Sequence, residues 1–284
     1  MIVVTGATGK LGQHVVEGLL KSVPPAEIIA AVRSPEKAAD LTAKGVQVRQ
    51  ADYFQPQTLH TAFAGADALL LISSSDLKDR VSQHKAAIDA AKDAGIKLIA
   101  YTSLLRADTS TIATLAADHK ATEEYLRASG VPFVILRNGW YFENHTEALG
   151  PALEHGAILG SANDGRFASA ARADYAASAV AVLTSTGHAN KVYELGGDTP
   201  YTLTELAAEV SKQAGKPVVY QNLPEAGYEG ALKGFGLPEV VAHMLADADR
   251  AASAGELDNP GSDLRTLIGR PTTTLAAAVA AALR

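Results

Sequence analysis

The sequence predicts an α/β protein with a doubly wound parallel sheet and a smaller C-terminal lobe. Three observations carry this prediction. Short Val/Ile/Leu-rich runs recur at residues 2–4, 28–32, 46–48, 68–72, 96–102 and 133–136. Runs without polar alternation read as strands covered on both faces. Segments with apolar residues at helical spacing separate them, so each strand is followed by a helix that can cover it. The resulting order βαβαβαβαβαβ, with right-handed crossovers, places helices on both faces of the sheet. A chain of 284 residues suits one such domain with an attached lobe.

Each element has a local cause. The first strand runs into the glycine-rich stretch MIVVTGATGKLG, after which Leu11, Val15, Val16, Leu19 and Leu20 share one helical face. After the second strand, Ser34-Pro35 reads as an N-cap with proline at the first helical position, and Gly45 as the stop. Val81, Ile88 and Ala91 mark a helix that ends at Gly95, and a further helix over 115–128 ends at Gly130 before Pro132. Regularity breaks after Asn138, where 139–171 is mixed and rich in Gly, Asn and aromatic residues. Residues 191–195 supply one more strand ahead of Gly196-Gly197. Thr202 and Glu205 form a capping box for a helix reaching 214. The remainder, with Pro224, glycines at 234 and 236, and Pro260-Gly261, reads as loop-rich. These features divide the chain into a nucleotide-binding half, 1–139, and a smaller lobe, 140–284, from which some segments return to the sheet.

Charge and composition narrow the function. The net charge of −6, without a basic run, disfavours nucleic acid and anionic membrane as partners. No apolar stretch approaches the ~18 residues of a spanning helix, and Met1 leads straight into a strand rather than a signal sequence. Cysteine is absent, which removes disulfides, thiolate nucleophiles and cysteine-held metal. The eight histidines fall in no HxxxH or HExxH pattern, so no metal is expected. There is no GxSxG elbow for acyl transfer. A cytoplasmic protein is the expectation, and the pattern specifies no oligomeric state.

The glycines carry the first positive signal. Gly6-Ala7-Thr8-Gly9-Lys10-Leu11-Gly12 joins the first strand to the first helix with the spacing GxxGxxG. Amides at that helix N-terminus lack intrahelical acceptors and carry the positive end of its dipole. A pyrophosphate fits there only where no β-carbon blocks it, which is the logic of a Rossmann-type dinucleotide site. Gly6 permits the turn, Gly9 the approach of the phosphates and Gly12 the packing of helix on strand. The second strand then closes on Arg33 rather than on a carboxylate. A carboxylate there would bond the ribose 2′-hydroxyl of NAD, whereas a guanidinium holds a 2′-phosphate with two parallel hydrogen bonds. The expected cofactor is therefore NADPH, with Lys37 one turn further on adding charge. Asp52, just after the third strand, either accepts from the adenine amino group or closes a turn. Trp140, Tyr141 and Phe142 lie past the end of the sixth strand. They either pack the lobe's core or form a flat wall for a planar substrate, with Asn144 in reach of a substrate oxygen.

These residues resemble the NmrA-like group of atypical short-chain dehydrogenase/reductases and, within it, the bacterial NADPH-dependent quinone oxidoreductases. The resemblance rests on GATGKLG, on Arg33, and on the phrases AYTSLLRADTS, LRNGWYFEN, ARADYA, KVYELGGD and PTTTLA, which span nearly the whole chain. It implies that Gly6 to Leu11 hold the pyrophosphate and Arg33 the 2′-phosphate. It also implies that Ser73, Ser74 and Ser75 lie along ribose and phosphates, and that Arg137, Asn138, Gly139, Trp140 and Tyr141 flank the nicotinamide. One departure is informative. Short-chain dehydrogenases carry Tyr-x-x-x-Lys on the helix after the fifth strand, and here Lys120 is preceded at that spacing by Ala116. The loss of the tyrosine acid argues against alcohol chemistry and suits a quinone, whose reduction makes an aromatic product. Tyr101, Trp140, Tyr141 and Asn144 are then the substrate-site candidates. The alternative is a regulator that binds NADP(H) and senses redox state without turnover.

Overall fold

The computed structural model describes residues 1–113, 115–259 and 261–284. In chain order the first elements are β1 (Ile2–Thr5), α1 (Lys10–Leu19), β2 (Ile28–Val32), α2 (Ala39–Ala43), β3 (Gln47–Gln50), α3 (Pro56–Phe63), β4 (Ala68–Leu71), α4 (Arg80–Asp93), β5 (Leu98–Leu104), α5 (Ala113–Ala128) and β6 (Phe133–Asn138). There follow α6 (Phe142–Thr146), α7 (Leu149–His155), β7 (Ala157–Gly160), α8 (Arg172–Thr184), β8 (Lys191–Leu195), α9 (Leu203–Ala214), β9 (Val219–Asn222), α10 (Glu225–Gly234), α11 (Glu239–Ser253), α12 (Asp263–Ile268) and α13 (Leu275–Ala282).

Seven strands form one sheet in the order β3-β2-β1-β4-β5-β6-β8. The pairs from β3 to β5 are parallel, with Val3 opposite Ile29 on one side and Leu69 on the other. The order reverses between β1 and β4, the switch point at which such sheets bind ligands beyond their carboxyl ends. One face is sealed by Leu59, Phe63, Ile88 and Ala91, which pack with Val3, Ile29, Leu69, Ile99 and Ile135 in a continuous core. On α1, Leu11, Val15, Val16 and Leu19 are buried. Gly18 lets α8 lie close against that helix, since a β-carbon there would stand 2.8 Å from Val180 Cγ2.

The chain divides into two compact units. The first comprises Met1–Leu104, Ala117–Arg137 and Arg172–Tyr193, and the second Leu105–Ala116, Asn138–Ala171 and Glu194–Arg284. The chain thus passes between units several times, once close to the expected boundary at 139. Within the second unit β7 pairs in parallel with β9. Among the described residues no helix is long and apolar enough to cross a membrane.

Several boundaries differ from the sequence expectation for local reasons. β3 starts at Gln47 rather than Val46, because the Val46 amide is spent on Leu41 O at the end of α2. Likewise the Ile96 amide closes α4 on Ala91 O, so β5 begins at Leu98 and continues to Leu104. Ser34 makes no side-chain cap, and Pro35–Ala38 forms a 3₁₀ turn ahead of the short α2. The Thr202–Glu205 capping box forms as expected. The loop-rich reading of the C-terminal stretch is corrected, since α10, α11, α12 and α13 occupy most of it. Its glycines and prolines punctuate helix ends: Pro224 and Pro238 are N-caps, and Gly236, at φ +88°, separates α10 from α11. Alanine, the strongest helix former, fills α11 and α13. Pro260 lies outside the described residues.

Candidate cofactor site

β1 ends at Thr5 and the chain turns at Gly6, whose φ of +59° an L side chain would strain. The Gly9 amide donates to Gly6 O at 2.8 Å and closes the turn. α1 then starts at Lys10, and its first closing bond is Gln13 N–H to Gly9 O at 2.9 Å. The amides before it belong to the turn that meets the cavity, at the positive end of the helix dipole. A β-carbon on Gly12 would stand 2.2 Å from Gly6 O, so this glycine lets the helix sit on the turn. On Gly9 the same atom would meet Gly6 O at 3.1 Å.

Beyond this turn lies a cavity of roughly 830 Å³ along the carboxyl ends of β1, β2, β3 and β4. The glycine turn supplies Gly6, Thr8, Gly9, Lys10 and Leu11 to its wall. Arg33 enters from the end of β2, exposed and without a hydrogen bond or ion pair among the described residues. Asp52 enters after β3 and accepts the Phe54 amide on Oδ1 at 3.0 Å, so it closes a turn while lining the wall. Ser73, Ser74 and Ser75 enter after β4. The Ser73 hydroxyl is buried with no hydrogen-bond partner among the described residues.

Other expected residues lie elsewhere. Ala7 is fully buried beneath the turn and Lys37 is exposed off the cavity. Arg137 does not line the cavity either. Its guanidinium grips Glu123, with Nε 2.9 Å from Oε1 and Nη2 2.7 Å from Oε2, both residues buried. Ser103 donates to the same carboxylate at 2.6 Å. The position of Arg137 at a strand end suggested a ligand contact, but a partner on α5 holds it in the core. Tyr101 is fully buried with its hydroxyl 2.7 Å from His119 Nδ1. Lys120 is exposed on α5.

In the second unit, Gly139 N–H donates to Leu195 O at 2.8 Å, and Ala170 N–H to Trp140 O at 3.2 Å. Trp140 and Phe142 are buried, and Phe142 stacks on Tyr201 with centroids 5.4 Å apart. The core-packing reading therefore holds for these two. Tyr141 is half-buried, and its hydroxyl accepts from Asn138 Nδ2 at 3.3 Å. Asn138 Oδ1 is buried with no hydrogen-bond partner among the described residues. Asn144 is half-buried, with its amide on Tyr141 O at 3.1 Å.

Sequence reasoning missed two parts of the cavity wall. Phe54 is 62% exposed yet lines the cavity beside Tyr53. The signal was an aromatic pair, Tyr53-Phe54, directly after Asp52 in a turn. Gln83 reaches the wall from α4, and nothing local announced it.

The residues present fit a dinucleotide phosphate. A glycine turn leaves room for the diphosphate, a buried hydroxyl awaits a partner, an exposed ring offers a stacking face, and a guanidinium has no internal anion. Fold and site together define a Rossmann-type dinucleotide-binding protein. A family model described as NAD(P)H-binding matches residues 6–186, and the chain belongs to that family. It is 54% identical to Quinone oxidoreductase 2 of Escherichia coli (strain K12), over 98% of this chain and 97% of that protein. The crystal structure of the E. coli NADPH-dependent quinone oxidoreductase QOR2 complexed with NADPH matches with a TM-score of 0.97 and 53% identity, covering 100% of both chains. The triphenylmethane reductase of Citrobacter sp. complexed with NADP(H) matches with a TM-score of 0.95 and 42% identity, over 99% of this chain and 100% of that one.

Proposed function

We infer that this chain is an NADPH-dependent oxidoreductase that transfers a hydride from NADPH to a quinone. The observation that carries the reading is the full-length likeness to an NADPH-complexed quinone oxidoreductase, and the cavity explains the cofactor half of it. The Gly6–Gly9 turn and the start of α1 take the diphosphate. Arg33 takes the 2′-phosphate, and no carboxylate at the end of β2 opposes it. The Ser73–Ser75 loop runs along ribose and phosphate, with the Ser75 hydroxyl offered to them, and Phe54 offers its ring to adenine. The bound cofactor supplies the hydride.

The protein's remaining work is to align rings and exclude water. Hydride addition to a quinone gives an aromatic hydroquinone anion that takes its proton from solvent, so the tyrosine acid replaced by Ala116 is not needed. Tyr101 cannot stand in for it, since its hydroxyl is committed to His119 in the core. We assign Tyr141, with Asn144 and the edge of Trp140, to the substrate side. A cytoplasmic location goes with this reading. The regulator alternative is not favoured, because the relatives of high identity are named for reduction.

The test is NADPH absorbance decay with a panel of simple quinones. Turnover above the buffer rate, slowed in single turnovers by deuterium on the transferred face, is the expected result. Tyr141→Ala should raise the quinone KM while leaving NADPH affinity unchanged. Tight NADPH binding without reduction of any quinone would discard the enzyme reading.

A further inference from the structure

The loop after β4 is held in an unusual way. Beyond the last rung of a parallel ladder, backbone amides at the carboxyl edge are normally available to ligand oxygens. Here three successive amides are taken by side chains of three different elements. Ile72 N–H donates to Thr5 Oγ1 at 3.0 Å, Ser73 N–H to Thr102 Oγ1 at 2.9 Å, and Ser74 N–H to His84 Nε2 at 2.9 Å. These three amides are therefore committed within the fold and are not open to a ligand.

Ser74 is gripped hardest, and from one helix face. Arg80, Gln83 and His84 stand at i, i+3 and i+4 on α4 and all are buried. Arg80 Nε donates to Ser74 O at 2.8 Å, Gln83 Oε1 accepts from Ser74 Oγ at 2.5 Å, and His84 takes the amide. The clamp is itself anchored on α5. Arg80 Nη1 lies 3.1 Å from Asp118 Oδ2, and His84 Nδ1 lies 3.0 Å from Thr122 Oγ1, which donates to Asp118 O. The tautomer follows from the donors. A peptide N–H can only donate, so Nε2 of His84 is the acceptor and the proton of the neutral ring sits on Nδ1. Burial and the nearby Arg80 charge keep the ring neutral.

We propose that Arg80, Gln83 and His84 are positioning residues that lock the Ser74 peptide, so that the Ser73–Ser75 loop is preset as a wall of the cofactor cavity. The proposal rests on the NADPH reading of that cavity and concerns its affinity, not the chemical step. A preset loop saves the ordering cost otherwise incurred on binding. Buried polar groups such as these at the start of α4 are costly unless satisfied, and the serine loop, with Asp118 and Thr122, satisfies them.

The experiment is amide hydrogen exchange followed residue by residue, with NADPH titrated by calorimetry. In the unsubstituted protein without cofactor, the Ser74 amide should already be protected, and NADPH should add protection mainly at the first turn of α1. A Ser74 amide that exchanges like open loop overturns the proposal without using any variant. His84→Leu should release that amide and weaken NADPH binding about three- to tenfold, the effect of one lost hydrogen bond. His84→Gln, which keeps an acceptor in reach, should recover most of both. Gln83→Leu provides a second break in the clamp should His84→Leu fail to fold. Variants that free the amide yet bind NADPH like the parent would show the clamp to be structural only, which overturns the assignment. Failure of the parent protein to bind NADPH would instead reject the cofactor reading.

Discussion

Tyr101 Oη lies 2.7 Å from His119 Nδ1, and neither residue meets the cavity. The phenol and the neutral imidazole share one hydrogen bond, its direction set by the imidazole tautomer. Burial pushes the phenol pKa up and the imidazole pKa well down, which keeps the pair neutral across the working range. Tyr101→Phe would leave His119 Nδ1 buried without its hydrogen-bond partner. The expected loss is about 1–3 kcal/mol of stability in urea unfolding, with NADPH affinity unchanged. A large loss of quinone turnover at full stability would instead return Tyr101 to the active site.

Arg33 has no internal partner to lose among the described residues. Arg33→Ala should leave the apo melting temperature within experimental error. It should weaken NADPH by roughly 10- to 150-fold, since a charge-assisted hydrogen bond is worth about 1.5–3 kcal/mol. NADH affinity should barely change. Calorimetric titration of both cofactors checks this, and equal losses for the two would mean that Arg33 does not read the 2′-phosphate.

Gly9 and Gly12 should fail differently. A β-carbon at Gly12 collides with backbone at 2.2 Å, so Gly12→Ala should cost about 1–3 kcal/mol or more of folding stability. At Gly9 the nearest atom is 3.1 Å away, so Gly9→Val should spare most apo stability but abolish NADPH binding by filling the phosphate space. Thermal melts paired with binding titrations separate the two outcomes.

Asp249 on α11 accepts the Ser161 amide at 2.8 Å, and burial raises its pKa to about 7. Between about pH 4 and pH 7 the folded state binds a proton that the unfolded chain, with its ordinary carboxyl pKa of about 4, does not. The native protein therefore loses stability from this group as pH rises to about 7, and the loss levels off above. Asp249→Asn removes that slope. Its melting temperature relative to the parent should climb over this window and stay flat beyond it. His84 and His145, with pKa values lowered to about 3 and about 4 by burial, act in the opposite direction, losing stability as pH falls below about 6.5. They contribute equally to variant and parent, so the difference isolates Asp249. A pH-independent difference would contradict the assignment.

What the sequence made legible was what depends on neighbours along the chain. The glycine turn, Arg33 at a strand end and the Thr202–Glu205 cap are local chemistry, and each is found where the pattern puts it. The Arg137–Glu123 pair was illegible because Glu123 sits on another element. The α4 clamp was illegible because the apolar positions of that helix announce the helix but not the partners of its buried polar residues, which lie on the serine loop and α5. α8 escaped notice for a different reason: its buried side sets Asp174, Ala176, Ser178 and Ala179 around Tyr175 rather than a row of large apolar residues.

The place of β8 beside β6 bears on how the protein is made. During vectorial synthesis β6 emerges long before residue 191, where its outer neighbour begins. Until then the nascent sheet ends in a buried-type strand, FVILRN, with its backbone groups open to any other chain. The nascent chain thus exposes a strand edge that the finished protein covers with β8. A gene fragment cut near residue 140 would lack that cover and would also lose residues 172–193 of the first unit.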